Sequence, residues 1–218
     1  MTNLLMAALV LASAPTDSWE LKIPFKEKLQ QEHDVLIYIS MGGEERDVEL
    51  ISQLKIDKKT DTGYEGTYGF KDIYVGGQPQ DGGTWPAKFN SGGMIMSMEA
   101  DEGPGMRRMF LPFFMVYPDK AVAVGDTWKH ADKDDEAVDG HTVTVEYKAL
   151  EVTKAGKADA LKVEFKLKEK GPAPMVGDGY FLLGRDGRVL KYKINIEGWP
   201  VPIAGTTFNA VITGEIVD

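Results

Sequence analysis

The 218-residue sequence contains no cysteine. This absence excludes disulfide bonds, thiolate metal ligands and a thiol nucleophile, and we expect no acyl anchor, which would need an N-terminal cysteine. Sequences typical of nucleotide and hydrolase sites are also missing: there is no phosphate-binding loop, dinucleotide fingerprint or Gly-x-Ser-x-Gly elbow. We therefore expect a protein that is not an enzyme and that has no cofactor or metal ion.

Basic residues are fewer than acidic ones, 25 against 34, which gives a net charge of −9. This balance leaves no large basic face, so we expect neither nucleic acid as a partner nor broad electrostatic docking to anionic lipid. Apolar residues make up 43% of the chain and charged residues 27%, as in ordinary globular proteins. The length suits one medium-sized domain, or two small halves that share a core.

Long apolar runs are absent, since none reaches the roughly 20 residues that a transmembrane helix needs. Residues 4–12 (LLMAALVLA) form a short apolar run, and Ala12-Ser13-Ala14 has the small-x-small pattern of a cleavage site. Two features depart from a typical signal peptide: no basic residue precedes the run, and Pro15 would follow the cut. The alternative is a buried N-terminal strand or helix. We predict a signal peptide over residues 1–14, and hence export to the periplasm or the medium.

Helical periodicity is weak everywhere except over residues 106–115. Elsewhere apolar and polar residues alternate in short runs, as is typical of β-strands with one buried face, and turn sequences separate these runs. The pattern predicts about ten strands in a single all-β domain over residues 15–218, built as an antiparallel curved sheet, half-barrel or sandwich. The alternating residues include Trp19, Leu21, Ile23 and Phe25; Val35, Ile37 and Ile39; Val48, Leu50, Leu54 and Ile56, with Ser52 interrupting; Tyr64, Tyr68 and Phe70; and Leu161, Val163, Phe165 and Leu167.

The order of these signals occurs twice along the chain. In each half a strand, a polar turn and a second strand lead, after a loop, into a hairpin that begins with glycine, at Gly92 and at Gly177. Residue identity between the halves is low. We predict two pseudo-repeats, over residues 19–109 and 126–218, joined by residues 110–125.

The joining segment carries a recognisable sequence motif. It contains Leu111-Pro112-Phe113-Phe114 and residues 117–128 (YPDKAVAVGDTW), and residues 186–190 (DGRVL) follow later. These stretches, about twenty residues in all, resemble the mid-chain signature of exported bacterial β-rich proteins of unknown function with a VGDTW motif. The resemblance implies a secreted or periplasmic all-β protein with a curved sheet, similar in layout to periplasmic lipoprotein carriers. It implies no activity, and the N-terminal cysteine of the lipid-anchored members is missing here.

The VGDTW motif also has a structural interpretation that needs no ligand. Gly125 can form a tight turn, Asp126 can accept hydrogen bonds from nearby backbone N–H groups, and Trp128 can begin a strand and pack inward. We expect this structural role rather than a functional one.

An acidic stretch near residue 134 invites a calcium-site interpretation. Asp132, Asp134 and Glu136 fall at positions one, three and five of an EF-hand loop, but Ala137 stands where glycine is needed and Val143 where glutamate is needed. The motif therefore fails, and we expect a solvated hairpin loop.

The three histidines, His33, His130 and His141, are isolated in the sequence. We expect them on the surface or at strand ends. An enzyme would need a pocket assembled around His130 or His141 with acidic neighbours, and nothing in the sequence indicates one.

Methionine supplies the most unusual pattern. Met94, Met96 and Met98 are predicted to lie on one strand face, and an apolar stretch with two arginines follows. Three interpretations stay open: core packing, an apolar ligand groove, and a thioether site for Cu(I). In the second, the arginines could pair with an anionic head group. The predicted ligand-binding residues are Met94, Met96, Met98, Arg107, Arg108, Met109, Phe110, Phe113 and Phe114.

These observations lead to a functional expectation. We expect an exported, non-enzymatic binding protein that holds an apolar or lipid-like ligand on a concave β-sheet. The alternative is a structural or protein-interaction module of the cell envelope without a small ligand. In this case a sheet edge, or the Phe-rich segment that contains Phe110, Phe113 and Phe114, would contact another protein.

Overall fold

The computed structural model describes residues 18–21, 23–26, 28–41, 43–98, 106–133, 137, 140–201 and 206–217. The predicted signal peptide and the acidic residues 134–136 lie outside this part of the chain. The all-β prediction is confirmed: the described residues form twelve strands and one short α-helix, α1 (Met106–Phe110), which a 3₁₀ turn (Leu111–Phe113) follows. The strands are β1 (Leu29–Met41), β2 (Glu44–Lys59), β3 (Gly63–Val75), β4 (Gln78–Gln80), β5 (Gly83–Asn90), β6 (Ile95–Met98), β7 (Thr127–Ala131), β8 (Thr142–Ala155), β9 (Ala158–Lys170), β10 (Val176–Leu183), β11 (Val189–Val201) and β12 (Thr206–Ile216).

All the strands belong to one antiparallel sheet. Its order is β6-β5-β3-β2-β1-β12-β11-β10-β9-β8-β7, and β4 pairs only with β3. Strands from the first half of the chain form one side of the sheet, strands from the second half form the other, and the two sides meet where β1 pairs with β12. The architecture is therefore an open sheet rather than a sandwich. Whether the two sides descend from a sequence repeat stays a prediction.

Alternation of side chains gives the sheet one buried face, which we call the inner face. In β9 the residues Leu161, Val163, Phe165 and Leu167 are buried, while the residues between them are half-buried or exposed. Burying one large apolar side chain stabilises a fold by about 1.5–3 kcal/mol. The period-two pattern therefore determines which face of each strand lies against the core.

Bulges bend the sheet. The pairing register shifts between β2 and β3, β5 and β6, β8 and β9, β10 and β11, and β11 and β12. A bulge bends its strand and increases the local twist. Repeated across the sheet, these shifts curve it around the inner face.

Residues between β6 and β7 fill the inner face. We call residues 106–117, which include α1 and the 3₁₀ turn, the covering segment. Its apolar side chains are buried except for Met109 and Val116, which are partly buried, and Phe110 is fully inaccessible to solvent. The concave surface of the sheet is therefore occupied by the protein's own chain. No helix among the described residues is long and apolar enough to cross a membrane.

The strand predicted for residues 19–25 does not form. The segment makes a single β-bridge, between Trp19 and Val122, and the backbone N–O distances of this bridge are 2.7 and 2.9 Å. Its partner lies in a loop rather than in the sheet, so no ladder can extend from it. Apolar side chains of the segment still face the core: Trp19 and Leu21 are buried, and the ring of Phe25 packs against those of Tyr64 and Phe89.

The prediction that three methionines share one strand face is also wrong. Met94 precedes β6, and a bulge shifts the pairing of that short strand with β5. Ile95 is the partner of buried Phe89, and Met98 is the partner of Ala87. The bulge breaks the strict alternation that the sequence pattern assumes.

The structural interpretation of the VGDTW motif is confirmed. Gly125 adopts a positive φ of 100°, and Asp126 Oδ2 accepts a hydrogen bond of 2.8 Å from the Ala123 N–H. Trp128 lies in β7 and stacks on Tyr147 with ring centroids 5.2 Å apart. Gly125, Asp126 and Trp128 therefore each have a role in the turn or in packing.

Candidate functional site

Arg107 connects the two outermost strands of the sheet. Its Nε donates a hydrogen bond of 3.0 Å to the Ile95 carbonyl of β6, and its Nη2 lies 3.4 Å from both carboxylate oxygens of Asp132, just after β7. The side chains of Arg107 and Asp132 are 6% and 1% exposed. The Asp132 carboxylate also accepts a 3.0 Å hydrogen bond from the Val143 N–H and contacts His130 Nε2 at 3.1 Å.

This arrangement affects the ionisation of Asp132. Burial alone would raise the pKa of this carboxyl, but the contact with His130, the charge of Arg107 and the Val143 N–H together hold the pKa below its usual value. Asp132 is therefore a buried carboxylate. The expectation of a solvated hairpin loop is wrong for this residue, because its partners lie on α1, β7 and β8 and draw it inward.

Arg108 is held by a second carboxylate. Its Nε and Nη2 lie 3.0 and 2.6 Å from the two oxygens of Glu169, and its Nη2 also donates to the Ala173 carbonyl at 3.1 Å. Glu169 in turn accepts a 2.8 Å hydrogen bond from the Met175 N–H. While these ion pairs are intact, neither Arg107 nor Arg108 is available to an anionic head group.

Two of the three histidines lie inside the protein. His33 Nε2 lies 2.8 Å from the Val189 carbonyl, and His141 Nε2 lies 2.6 Å from the Pro172 carbonyl. The expectation of a surface or strand-end position is wrong for His33, which lies within β1. His141 stands at a strand end as expected, directly before β8, but it is buried. His130 is half-buried beside Asp132.

The three predicted phenylalanines come together over β3. Phe110, Phe113 and Phe114 place their ring centroids 5.2, 6.3 and 4.8 Å from that of Tyr68. Aromatic pairs in tilted or edge-to-face geometry contribute about 0.5–1.5 kcal/mol each beyond area burial. The Phe-rich segment is therefore bound to the sheet chiefly through aromatic packing.

The predicted methionines are less closely grouped. Met94 is fully buried, Met96 is half-buried, and Met98 and Met109 are partly buried against the core. Core packing accounts for these positions.

The covering segment is attached to the sheet mainly by side chains. One backbone–backbone hydrogen bond, from Tyr117 N–H to the Gly92 carbonyl at 2.9 Å, joins it to the other described residues. Its other polar contacts with the sheet involve side chains, so the segment belongs to no strand ladder. One is the ion pair of Arg108 with Glu169 of β9, and the others each join a backbone group to a side chain. They are Arg107 Nε to Ile95 O, Trp199 Nε1 to Met109 O, Val116 N to Tyr147 Oη, and Trp128 Nε1 to Val116 O.

A small cavity of about 40 Å³ lies where the covering segment meets the sheet. Phe113, Phe114, Met115 and Tyr117 of the segment line it. Polar residues of the strands line it as well, which is unusual for the inner face. We call these strand residues the inner polar cluster: Gln31, His33, Ser52, Tyr68 and Tyr192.

Strand pairing brings the cluster together. His33 of β1 and Ser52 of β2 are directly opposite in the antiparallel register, and Tyr192 reaches them from β11, with its ring centroid 5.6 Å from that of His33. The Ser52 hydroxyl lies near the phenols of Tyr68 and Tyr192. Even so, Tyr192 Oη and Gln31 Nε2 are buried without a well-formed hydrogen bond to any described residue.

The cluster is uncharged at neutral pH. Burial raises the pKa of Tyr68 and of Tyr192 well above the usual tyrosine value, although the Ser52 hydroxyl acts in the opposite direction. Burial lowers the pKa of His33, against the hydrogen bond to Val189 O, which raises it. The cavity therefore offers neutral hydrogen-bonding groups.

Sequence reasoning missed this cluster although it left a signal. Ser52 interrupts the apolar face of β2, and Gln31 and His33 continue the alternation of Val35 and Ile37 toward the start of β1. Polar residues at inward positions of two adjacent strands indicate a polar site on the inner face.

Three larger depressions open to solvent, with volumes of about 560, 990 and 780 Å³. None of the nine predicted ligand-binding residues lines them, whereas Phe113 and Phe114 line the small cavity. The cavity under the covering segment is therefore the candidate site.

Comparison with known proteins identifies no family. No family model matches the chain, and no curated protein matches it. One similar solved structure is an inferred exported protein with a YmcC-like fold from Bacteroides fragilis, at 14% identity and a TM-score of 0.35, covering 91% of this chain and 99% of that one. Another is an inferred lipoprotein from Parabacteroides distasonis, at 10% identity and a TM-score of 0.41, covering 91% of this chain and 100% of that one. At these scores the likeness carries no argument, and the VGDTW family resemblance stays a prediction.

Proposed function

We propose that the protein is an exported, non-enzymatic binding protein that holds an apolar or lipid-like ligand on the inner face of its sheet. The ligand would occupy the place that the covering segment takes here. The observation that carries the proposal is the attachment of residues 110–117 of this segment: aromatic side chains hold them, with one backbone–backbone hydrogen bond to the other described residues. They can leave the inner face without breaking any strand pairing, while the ion pairs of Arg107 and Arg108 stay in place.

The energetics set a lower limit on the size of the ligand. Moving Phe110, Phe113 and Phe114 into water costs about 1.5–3 kcal/mol each, or about 5–9 kcal/mol together. A buried methylene contributes about 0.8 kcal/mol, so an alkyl chain needs about 6–11 buried methylenes to offset the cost of exposing the three phenylalanines. The proposal therefore favours ligands with chains of about ten carbons or more.

Export is the part of the proposal that rests on the N-terminal sequence. The apolar run at residues 4–12 and the small residues after it support cleavage near residue 14. Mass spectrometry of the protein from its native cell tests this step, because a mature chain that still begins at Met1 would contradict it.

A reversible lock on the covering segment tests ligand binding. A Cβ added at Gly92 would lie 3.0 Å from Val116 Cγ1, close to the separation of about 3 Å between a Cβ and the far sulfur in a disulfide. The double variant Gly92→Cys/Val116→Cys should therefore form a disulfide, and the parent chain has no cysteine to interfere.

The readout is native mass spectrometry after incubation with 1-dodecanol or dodecanoate. We expect the reduced double variant and the parent protein to retain an adduct that denaturation releases, and the oxidised variant to retain none. Each single variant, treated with the same oxidant, is the matched control. Equal binding by the oxidised and reduced forms would contradict a ligand site under the covering segment.

The covering segment fills the inner face of the sheet, and this favours a second candidate, an envelope interaction module without a small ligand. In this case the outer face would provide the contact surface, where Tyr38 and Val176 are 53% and 39% exposed beside a depression of about 990 Å³. Crosslinking in native envelope extracts tests it. A partner lost in Tyr38→Ser, together with no adduct in the experiment above, would favour this candidate.

A further inference from the structure

We propose that the inner polar cluster binds the polar end of the ligand, and that this end is an uncharged hydrogen-bonding group such as a hydroxyl or a carbonyl. The inference rests on the proposed function and adds to it the chemical class of the ligand. Three features of the site support it: unsatisfied buried donors, the position of the cavity, and the absence of charge among the described residues that line it.

The first feature is the pair of unsatisfied groups. Gln31 Nε2 and Tyr192 Oη are buried and lack a well-formed hydrogen bond within the described chain, and the two residues are only 7% and 3% exposed. Leaving such a group without a partner is unfavourable, and most buried polar groups in native proteins have one. The cavity of about 40 Å³ that both residues line exceeds the roughly 10–15 Å³ that one water molecule needs. An oxygen atom of similar size can accept hydrogen bonds from both.

The second feature is where the cavity lies. Phe113 and Phe114 of the covering segment line the same cavity as the cluster, and their rings pack against Tyr68. A chain that replaced these two side chains would run along the aromatic surface of β3 and end at the cluster. The apolar surface and the polar cluster are thus arranged to bind an amphiphile with its polar end inside.

The third feature is charge. The described residues around the cavity include no lysine, arginine, aspartate or glutamate, and His33 is kept neutral by burial. A carboxylate or phosphate placed there would lose its hydration without gaining a counter-ion, which is costly. Arg107 and Arg108 cannot compensate, because Asp132 and Glu169 already hold them. A neutral polar end fits this site, in contrast to the anionic head group that the two arginines led us to expect.

A set of ligands with equal chains and different ends tests the inference. The probes are 1-dodecanol, dodecanoate at pH 8 and 1-chlorododecane, each titrated against the full-length protein carrying the uncharged fluorophore N-phenyl-1-naphthylamine. We expect 1-dodecanol to displace the fluorophore at a concentration at least about fivefold lower than either of the other two. Tighter binding of dodecanoate, or equal binding of all three, would overturn the inference.

Two variants assign the effect to the cluster. Gln31→Leu and Tyr192→Phe each remove one hydrogen-bond donor and nearly keep the side-chain volume. Each should therefore weaken the binding of 1-dodecanol about fivefold and leave the binding of 1-chlorododecane unchanged. The chlorododecane titration shows that a variant is folded, and the ligand order in the parent protein gives an answer even if one variant does not fold. Equal weakening of all three ligands would contradict the assignment. If no probe binds the parent protein at all, the proposed function itself fails.

Discussion

The ring of Tyr192 lies directly over Gly214, its partner on the neighbouring strand. The two residues are paired in the β11–β12 register, and a Cβ built on Gly214 would overlap the ring and come within 2.5 Å of Tyr192 Oη. Because glycine leaves this space open, the ring can cross β12 and reach His33 on β1. The missing side chain at Gly214 thus helps to bring Tyr192 to the inner polar cluster.

Replacing this glycine tests that relationship. Gly214→Ala should destabilise the protein by about 1–3 kcal/mol, because the added methyl group overlaps the tyrosine ring. Urea unfolding followed by circular dichroism measures the change. In a Tyr192→Leu background the same substitution should cost much less, since the overlapping ring is gone. An equal cost in both backgrounds would show that the ring is not what requires glycine.

The buried pair of Arg107 and Asp132 predicts an acid-dependent loss of stability. Asp132→Asn should lower the free energy of unfolding at pH 7 by about 3–5 kcal/mol, because it leaves a buried guanidinium without its counter-ion. The pKa of Asp132 is lowered in the fold, so its contribution is present above the unfolded value of about 3.9 and is lost as the pH falls through the folded value. The difference between parent and variant should therefore shrink below about pH 4.

An exposed carboxylate provides the matched control. Asp159 pairs with Lys154, and the two side chains are 54% and 66% exposed. Asp159→Asn should leave unfolding nearly unchanged, because water screens an exposed pair. Similar effects of the two substitutions would contradict a special role for the contact between the outer strands.

The lowered pKa of His33 predicts that stability also depends on pH in a higher range than for Asp132. The pKa of His33 is lowered by burial, so below the unfolded value of about 6.5 the unfolded chain binds a proton that the folded protein does not. Stability should therefore fall as the pH drops from 7 toward 5, by up to about 1.4 kcal/mol per pH unit. Above pH 7 the residue contributes no pH dependence.

The variant His33→Gln isolates this effect. Tyr192 and the Val189 carbonyl, which contact His33, carry no charge in this range, so the variant should show a flatter pH profile between pH 5 and 7. Urea midpoints at several pH values measure it. An unchanged profile would mean that the pKa of His33 is not lowered in the fold, so that His33 takes up a proton there as readily as in the unfolded chain, and the neutral character of the cluster would then be wrong.

The sequence predicts the buried faces of the strands because burial repeats with period two, as Leu161, Val163 and Phe165 show. It also predicts the turn at Gly125 and Asp126, because that geometry is local. Contacts between residues that are far apart in the sequence cannot be predicted in this way. Arg108 and Glu169 are 61 residues apart, and no local pattern reports their pairing.

The candidate site was predictable only in part. The Phe-rich segment stood out as an apolar stretch, but its position over β3 depends on the curvature that the bulges impose. Ser52 was visible as an interruption in an apolar face. Its significance depends on the register that places His33 opposite it, and that register cannot be read from either strand alone.

Hydrogen exchange on adding a ligand tests the central claim most directly. With 1-dodecanol, amides of residues 110–117 should exchange faster because this part of the covering segment leaves the inner face, while amides of β3 and β11 should exchange more slowly beneath the bound chain. The oxidised Gly92→Cys/Val116→Cys variant should show neither change. Slower or unchanged exchange in the covering segment of the parent protein, with dodecanol bound, would contradict the proposal that the ligand takes its place.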